Sequence, residues 1–180
     1  MARLSEEANE LLHRAYGAGG AKGRWILATA ETWLYLNHKL LAARGLKTAD
    51  VEAALARGLK DQPGVLAAYT RSQLEAAAPA GDPIGQAVRR SFHPDRSGDV
   101  AVVLKPYHVP GEDLSGTSHG SPHPYDTHVP ILVLGPGVRP GRRAEAITPQ
   151  AVAAILATAL GVAPPDGAEA PVPDIFQAKP

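Results

Sequence analysis

The chain has 180 residues, with 18 Lys and Arg against 18 Asp and Glu, no cysteine, and an isoelectric point near 7.1. That length suits one domain with a real core, and the balanced charge supplies no field to draw in a polyanion or an anionic membrane, which argues against nucleic-acid and membrane partners. Without cysteine, disulfides, iron–sulfur clusters and thiolate zinc sites are excluded, so any metal must be held by nitrogen and oxygen.

The first residues, Met1 to Ala8, are charged and amphipathic, unlike a secretion signal, and no apolar run reaches the roughly 20 residues that a bilayer span needs. Ser5 ahead of Glu6 and Glu7 marks a helix start, and Leu4, Ala8, Leu11, Leu12 and Ala15 recur at helical spacing. That helix is expected to stop at Gly17, with Gly19 and Gly20 as a hinge. Residues 24–30 and 31–37 are rich in aromatic and branched side chains across a short polar break, the pattern of a hairpin or two neighbouring strands. His38 to Arg44 reads as a short helix ended by Gly45. Thr48 with Val51, Glu52, Leu55 and Leu59 reads as a capped amphipathic helix closed by Pro63-Gly64.

Val65 to Thr70 is expected to be a strand, Ser72 to Ala77 a helical turn, Pro79 to Pro83 a loop, and Ile84 to Phe92 a helix. From Asp99, after Ser97-Gly98, the run Val100 to Leu104 is continuously apolar and suits a central strand covered on both faces. Val129 to Leu134 is a second run of this kind, ended by Gly135-Pro136-Gly137. Thr148-Pro149 then places a hydroxyl cap and a first-turn proline ahead of Ala151, Val152, Ile155, Leu156 and Leu160, predicting a helix over about 149–160. Beyond Gly161 the Pro- and Ala-rich tail is expected to lie extended along a surface. Strand, loop, strand, helix in the second half implies a layered α/β architecture, and no internal repeat is present.

The chemistry is concentrated between the two apolar runs, where four of the seven histidines lie from His108 to His128. His119, His123, His128 and Asp126 are the side chains a cysteine-free zinc site would use. Their spacing matches no compact zinc pattern, and the alternative for His123 and His128 is a loop histidine bonded to backbone. Ser118 and Ser121 lack the Gly-x-Ser-x-Gly setting of a nucleophile and belong to the loop. Gly17 to Gly20 lacks the Gly-Lys-Ser/Thr ending of a phosphate loop. Around His93, Asp95, Arg96 and Asp99 two readings stand: a phosphate clamp, and a structural turn with Arg96 paired to a carboxylate, the latter preferred. Lys105 just past the first run points at an anion or reaches solvent. Trp25, Trp33 and Tyr35 read as packing residues.

The run His119-Gly120-Ser121-Pro122, then Pro124-Tyr125-Asp126-Thr127-His128-Val129-Pro130, leading to an apolar segment and Gly135-Pro136-Gly137, resembles the C-terminal metal-binding motif of the alkaline phosphatase superfamily. The similarity is to the bacterial alkaline phosphatases that resemble type I phosphodiesterase/nucleotide pyrophosphatases. Trp33 to Asn37, Phe92 to Val100 and the helix opened by Ile147-Thr148-Pro149 resemble the same proteins, so the likeness spans roughly 24–176. It implies the C-terminal part of an α/β/α sandwich, a mixed sheet with flanking helices. On this reading residues 1–180 form a single incomplete domain: 1–92 a helical and hairpin part, 93–162 a sheet part with the ligand loop, and 163–180 the tail.

The resemblance also implies two zinc ions, with His119 matching the distant C-terminal ligand and His128 and Asp126 acting as supporting or alternative ligands. His123 stands where such proteins often have tyrosine. The nucleophile and the remaining ligands of that family lie upstream of the matching region and have no counterpart here, so the chain alone is expected to show little or no phosphatase activity. The implied substrates are phosphomonoesters, then phosphodiesters, and the implied partner is the N-terminal part of the same enzyme. Such proteins are usually periplasmic or secreted. The rival readings are a non-catalytic α/β remnant that binds a partner, and an independent mononuclear metal protein built on His119, Asp126 and His128.

Overall fold

The computed structural model describes residues 2–19, 23–76, 81–109, 117–168 and 170–177; Gly20, Ala77, Pro79, Ala80 and Gly116 of the expected hinge, turn, loop and histidine window lie outside them. The chain divides into two compact units, Met1–His128 and Val129–Pro180.

The first unit is a four-stranded sheet with helices on it. Its elements run α1 (Ala2–Tyr16), β1 (Ile26–Ala30), β2 (Trp33–Leu36), α2 (His38–Ala43), α3 (Thr48–Lys60), β3 (Val65–Thr70), α4 (Arg71–Glu75), α5 (Pro83–Arg90), β4 (Val100–Leu104) and the short α6 (Pro124–Thr127). The strand order is β1-β2-β4-β3, and each pairing is antiparallel. Thus the α/β class holds, and parallel strand pairs do not occur among the described residues. The expected hairpin is present, with Ala30 opposite Trp33 and Glu31 carrying a left-handed backbone in the two-residue turn.

Alternation along the strands decides the faces. Leu34 and Leu36 of β2 and Val100 and Val102 of β4 point into a core with Leu4, Ala8 and Leu12 of α1 and Val51, Leu55 and Leu59 of α3. Each such leucine or valine stabilises the fold by about 2 kcal/mol relative to exposure. In β3 both Val65 and Ala68 reach this core, three residues apart. A bulge between Val65 and Ala67 resets the phase and permits it. On the opposite face Trp33, Ala101 and Tyr69 form a cross-strand row. There α5 packs closely: a Cβ on Gly85 would come within 2.9 Å of the Tyr69 ring, so only glycine fits. The Tyr69 hydroxyl donates to Asp82 Oδ1 at 3.1 Å, while the Asp82 side chain also caps α5.

Asp99 ties these pieces together. It is buried at the entry to β4, and its Oδ2 accepts from the Leu36 N–H at 2.7 Å. His38 Nε2 lies 3.0 Å from its Oδ1, and Arg71 Nε lies 3.5 Å from the same oxygen. Its own backbone bonds Leu34 on one side and Arg71 on the other. Gly98 lets this approach happen, since a Cβ there would meet the Leu34 carbonyl oxygen at 2.7 Å.

The segment from His93 to Ser97 forms a structural turn, with the Arg96 and Ser97 N–H groups bonded to the His93 carbonyl. Its organiser is Arg71 instead of Arg96: the Arg71 guanidinium donates to the carbonyls of Pro94 and Ser97 and sits 5.6 Å from the Phe92 ring centre. Arg96 contributes its backbone carbonyl, which accepts from the Tyr35 hydroxyl at 3.1 Å. Trp25 is fully buried and Trp33 packs against Phe92 with ring centres 6.1 Å apart, as packing residues do.

Several local expectations change: α1 begins at Ala2, ahead of Ser5, and α4 begins at Arg71 under a Thr70 cap, ahead of Ser72. Thr48 is the first residue of α3 and not its cap, which is Lys47. In the second unit, α7 (Ala151–Leu160) has no side-chain cap; Thr148 and Pro149 instead offer their carbonyls to the N–H groups of Ala151 and Val152, forming the turn that leads in. Most consequentially, Val129 to Leu134 is not a strand. No backbone hydrogen bond is made by these residues among those described, and Leu132 and Leu134 are 91% and 102% exposed. A continuous apolar run signals a preference for burial but supplies no ladder partner, and Pro130 removes one donor. The tail is anchored: Val138 bridges Phe176, the Gln177 N–H reaches Gly137, and the Arg139 guanidinium binds Asp174.

Two outcomes follow from the buried acids. Asp99→Ala leaves the Leu36 N–H unpaired and removes the buried carboxylate facing Arg71, and is expected to lower the free energy of unfolding in urea by about 3 kcal/mol, with Asp99→Asn losing less. Burial pushes the Glu52 carboxyl above the ordinary carboxylate range, against the hydrogen bonds from Ser72, with Asp99 adding to the rise. The folded form therefore holds the proton more tightly than the unfolded one, and the contribution of Glu52 is complete at low pH and lost as pH rises through the raised value. Urea melts over roughly pH 4 to 8 should show Glu52→Gln flattening that slope and equalling or exceeding the parent at the alkaline end.

Candidate functional site

The histidine loop is fixed to the end of β4 by His123 and Tyr125. His123 is buried, and its Nε2 lies 2.8 Å from the Leu104 carbonyl oxygen. It precedes Pro124, whose ring suits the first position of a helix, and its own carbonyl accepts from the Asp126 and Thr127 N–H groups. Tyr125 accepts from the Tyr107 N–H at 3.1 Å, and the two tyrosine rings stack with centres 5.0 Å apart. Tyr107 holds a left-handed backbone, φ 62°, to make this contact. So His123 is a loop histidine bonded to backbone, one of the two roles that sequence left open for it.

Asp126 closes the turn. Its Oδ2 accepts from the Ser121 N–H at 2.9 Å and from the Ser121 hydroxyl. These bonds, and then the charges of His119 and His123, hold its carboxyl below the ordinary range. Ser121 is thereby spent on the loop, consistent with its exclusion as a nucleophile. His119 is exposed, near enough to Asp126 to act on its charge. His128 is exposed and caps α6 through its backbone N–H, bonded to the Pro124 carbonyl at 2.9 Å.

A cleft of about 490 Å³ opens beside the loop, between the second face of the sheet, α5 and the hairpin tip. Lys105, His108, Ser118 and His119 line its polar side, and Trp33 and Val103 its apolar side. Sequence left Lys105 between an anion and solvent and gave His108 no role of its own. Lysine past a strand usually reaches solvent, and only the fold shows that the Lys105 N–H bonds the Gly64 carbonyl at 2.8 Å, extending the ladder to the cleft wall.

By themselves the described residues do not fit a zinc centre. They include no group of three His, Asp or Glu side chains able to hold a metal ion, so His119, Asp126 and His128 are not assembled as a mononuclear site. The exposed imidazoles of His119 and His128 and a carboxylate already engaged by Ser121 leave a donor set that needs ligands from elsewhere.

No family model matches the sequence. Among curated proteins it is 28% identical to the alkaline phosphatase PafA of Elizabethkingia meningoseptica over 167 residues, covering 92% of this chain and 29% of that protein. It is 28% identical to a calcium-transporting ATPase of Myroides odoratus, covering 91% of this chain and 29% of that protein. It is 31% identical to the alkaline phosphatase PhoK of a Sphingomonas species, covering 77% and 26%. The crystal structure of wild-type PafA superposes with a TM-score of 0.83 at 26% identity over 97% of this chain and 33% of that one. The chain fits the alkaline phosphatase superfamily. It spans under a third of the length of the curated relatives it matches. The alkaline phosphatase fold is thus present here in part, with the histidine loop inside the matching portion. Among the described residues no helix is long and apolar enough to cross a membrane.

The loop anchors are testable. His123→Phe keeps a ring but strands the Leu104 carbonyl, and is expected to lower stability by about 1 kcal/mol and to speed proteolytic cleavage within 117–128. The Ser121–Asp126 closure has the opposite pH sense to Glu52: a lowered carboxyl contributes above its unfolded pKa and is lost as pH falls through the folded one. Acidification should therefore broaden the Ser121 amide resonance in the parent and leave Asp126→Asn unchanged.

Proposed function

We propose that this chain is the C-terminal segment of a zinc-dependent phosphate-ester hydrolase, a single incomplete domain that supplies one wall of the active site. The observation that carries the reading is the place of His119: exposed, on the rim of a cleft that also presents Lys105 and His108, in a segment matching alkaline phosphatases in sequence and fold. Two of the three curated relatives named above and the superposed structure are alkaline phosphatases, which favours phosphomonoesters as substrate, with phosphodiesters next.

In this reading His119 is the chain's one metal ligand, and zinc, when bound, supplies Lewis acidity toward a phosphoryl oxygen. Asp126 sets the loop turn and places a negative charge beside the His119 imidazole, favouring its outward presentation to a cation. His128 supports the loop. Lys105 and His108 place donors toward the cleft, where an anionic ester would meet them. The nucleophile and the other ligands come from residues outside this chain's matching third, and the implied cell compartment is that of exported phosphatases.

The test is a chimera in which this chain replaces the matching third of the Elizabethkingia enzyme. Zinc content by mass spectrometry and hydrolysis of p-nitrophenyl phosphate are measured for the parent chimera and for His119→Ala. The expected result is loss of about one zinc per chain and a fall in rate of at least ~100-fold. Unchanged zinc content and rate in His119→Ala would remove the ligand assignment.

A further inference from the structure

A second cavity, of about 480 Å³, lies on the back of α5. Gln86, Arg89 and Arg90 line it, whereas Ala87, Val88 and Ser91 of the same helix line the cleft beside the histidine loop. At 3.6 residues per turn the two sets stand roughly 150° apart around the axis, so the cavities open on opposite faces of α5. Leu74, Phe92 and Pro94 supply the apolar wall of the second cavity, and all its lining residues belong to the first unit, between positions 74 and 94.

The charge on this cavity is unbalanced. Arg89 Nε donates to the Leu74 carbonyl at 3.0 Å, which fixes the guanidinium at the wall and leaves its terminal nitrogens without a partner among the described residues. Arg90 is exposed and has no ion-pair partner among the described residues. Glu75, the acid at the wall, is 3.8 Å from Arg71 Nη1 and so is already faced by a cation. Two like charges on one wall repel, and an anion between them removes that cost. Guanidinium forks match the oxygens of a phosphate head, and the volume is that of a small-ligand site. We infer that this cavity binds a small organic phosphate, its doubly charged head between Arg89 and Arg90 and its apolar body on Leu74, Phe92 and Pro94. Gln86 offers an amide donor to the same head.

Phenylphosphonate tests it, since it has a dianionic head, an apolar ring and no ester to hydrolyse. It is titrated into the full 180-residue chain while the backbone amides of 84–94 and the arginine Nε–Hε groups are followed by NMR. Saturable shifts are expected at Gln86, Arg89 and Arg90. Affinity should fall at least ~10-fold in Arg90→Gln, a substitution that removes no ion pair among the described residues. Inorganic phosphate lacks the ring and benzoate lacks the second charge, and each should bind at least ~5-fold more weakly.

Shifts that do not saturate would overturn the site. Inorganic phosphate binding as tightly as phenylphosphonate would overturn the organic ligand, because charge alone would then account for it. Binding lost in Lys105→Gln and kept in Arg90→Gln would place the ligand in the cleft on the other face of α5, and overturn the site equally. In the folded chimera described above, freed of zinc by a chelator, calorimetry should show an equivalent of phenylphosphonate that Arg90→Gln removes. Binding present in this chain and absent from that chimera would show that the rest of the enzyme occupies the arginines, and would also overturn it. Neither His119 nor zinc takes part, so the phosphatase reading and this site fail separately.

Discussion

The first unit depends on one buried carboxylate. Asp99 stands where β2, β4, α2 and the β3–α4 junction meet, and it satisfies a backbone donor from β2 while facing His38 and Arg71. A carboxylate at such a depth is tolerable only when it is paired and hydrogen-bonded. The pairing therefore orders its surroundings. Arg71, held beside Asp99, in turn binds the carbonyls of the turn that delivers the chain to Asp99. Glu52 lies close enough to feel both charges, and its hydrogen bonds from Ser72 fasten α3 to α4.

This arrangement positions the far end of β4, to which the histidine loop is bound. With the strand fixed at Asp99, Leu104 presents its carbonyl to His123, and the histidine loop is clasped to a rigid element. The loop then uses its other polar groups internally, Ser121 on Asp126, and leaves His119 outward beside the cleft.

The two units differ in how their apolar surface is treated. In the first, strand alternation and helix stripes find each other, and the core is closed by α1 and α3. In the second, an extended run and one face of α7 remain open. The similarity to alkaline phosphatases covers nearly all of this chain and less than a third of the relatives, which is the same asymmetry seen in sequence comparison.

The amino-acid sequence by itself determined the local elements whose signals are short-range. Period-four apolar spacing in α1 and α3, the polar break of the hairpin, the apolar run of β4 and the glycine stop after α1 all act within a few residues, and each forms as expected. It also marked the loop from His119 to His128 as a candidate site, because histidine, proline and acid residues cluster there. Tertiary structure alone decided which of these residues do what. Whether His123 binds a carbonyl, whether Arg71 or Arg96 holds the turn, and whether Lys105 reaches the cleft depend on contacts 19 to 41 positions apart in the chain. The run Val129 to Leu134 shows the limit most clearly. Hydrophobicity records that a segment prefers burial, but a strand is a relation between two segments, and the sequence of one cannot supply the other.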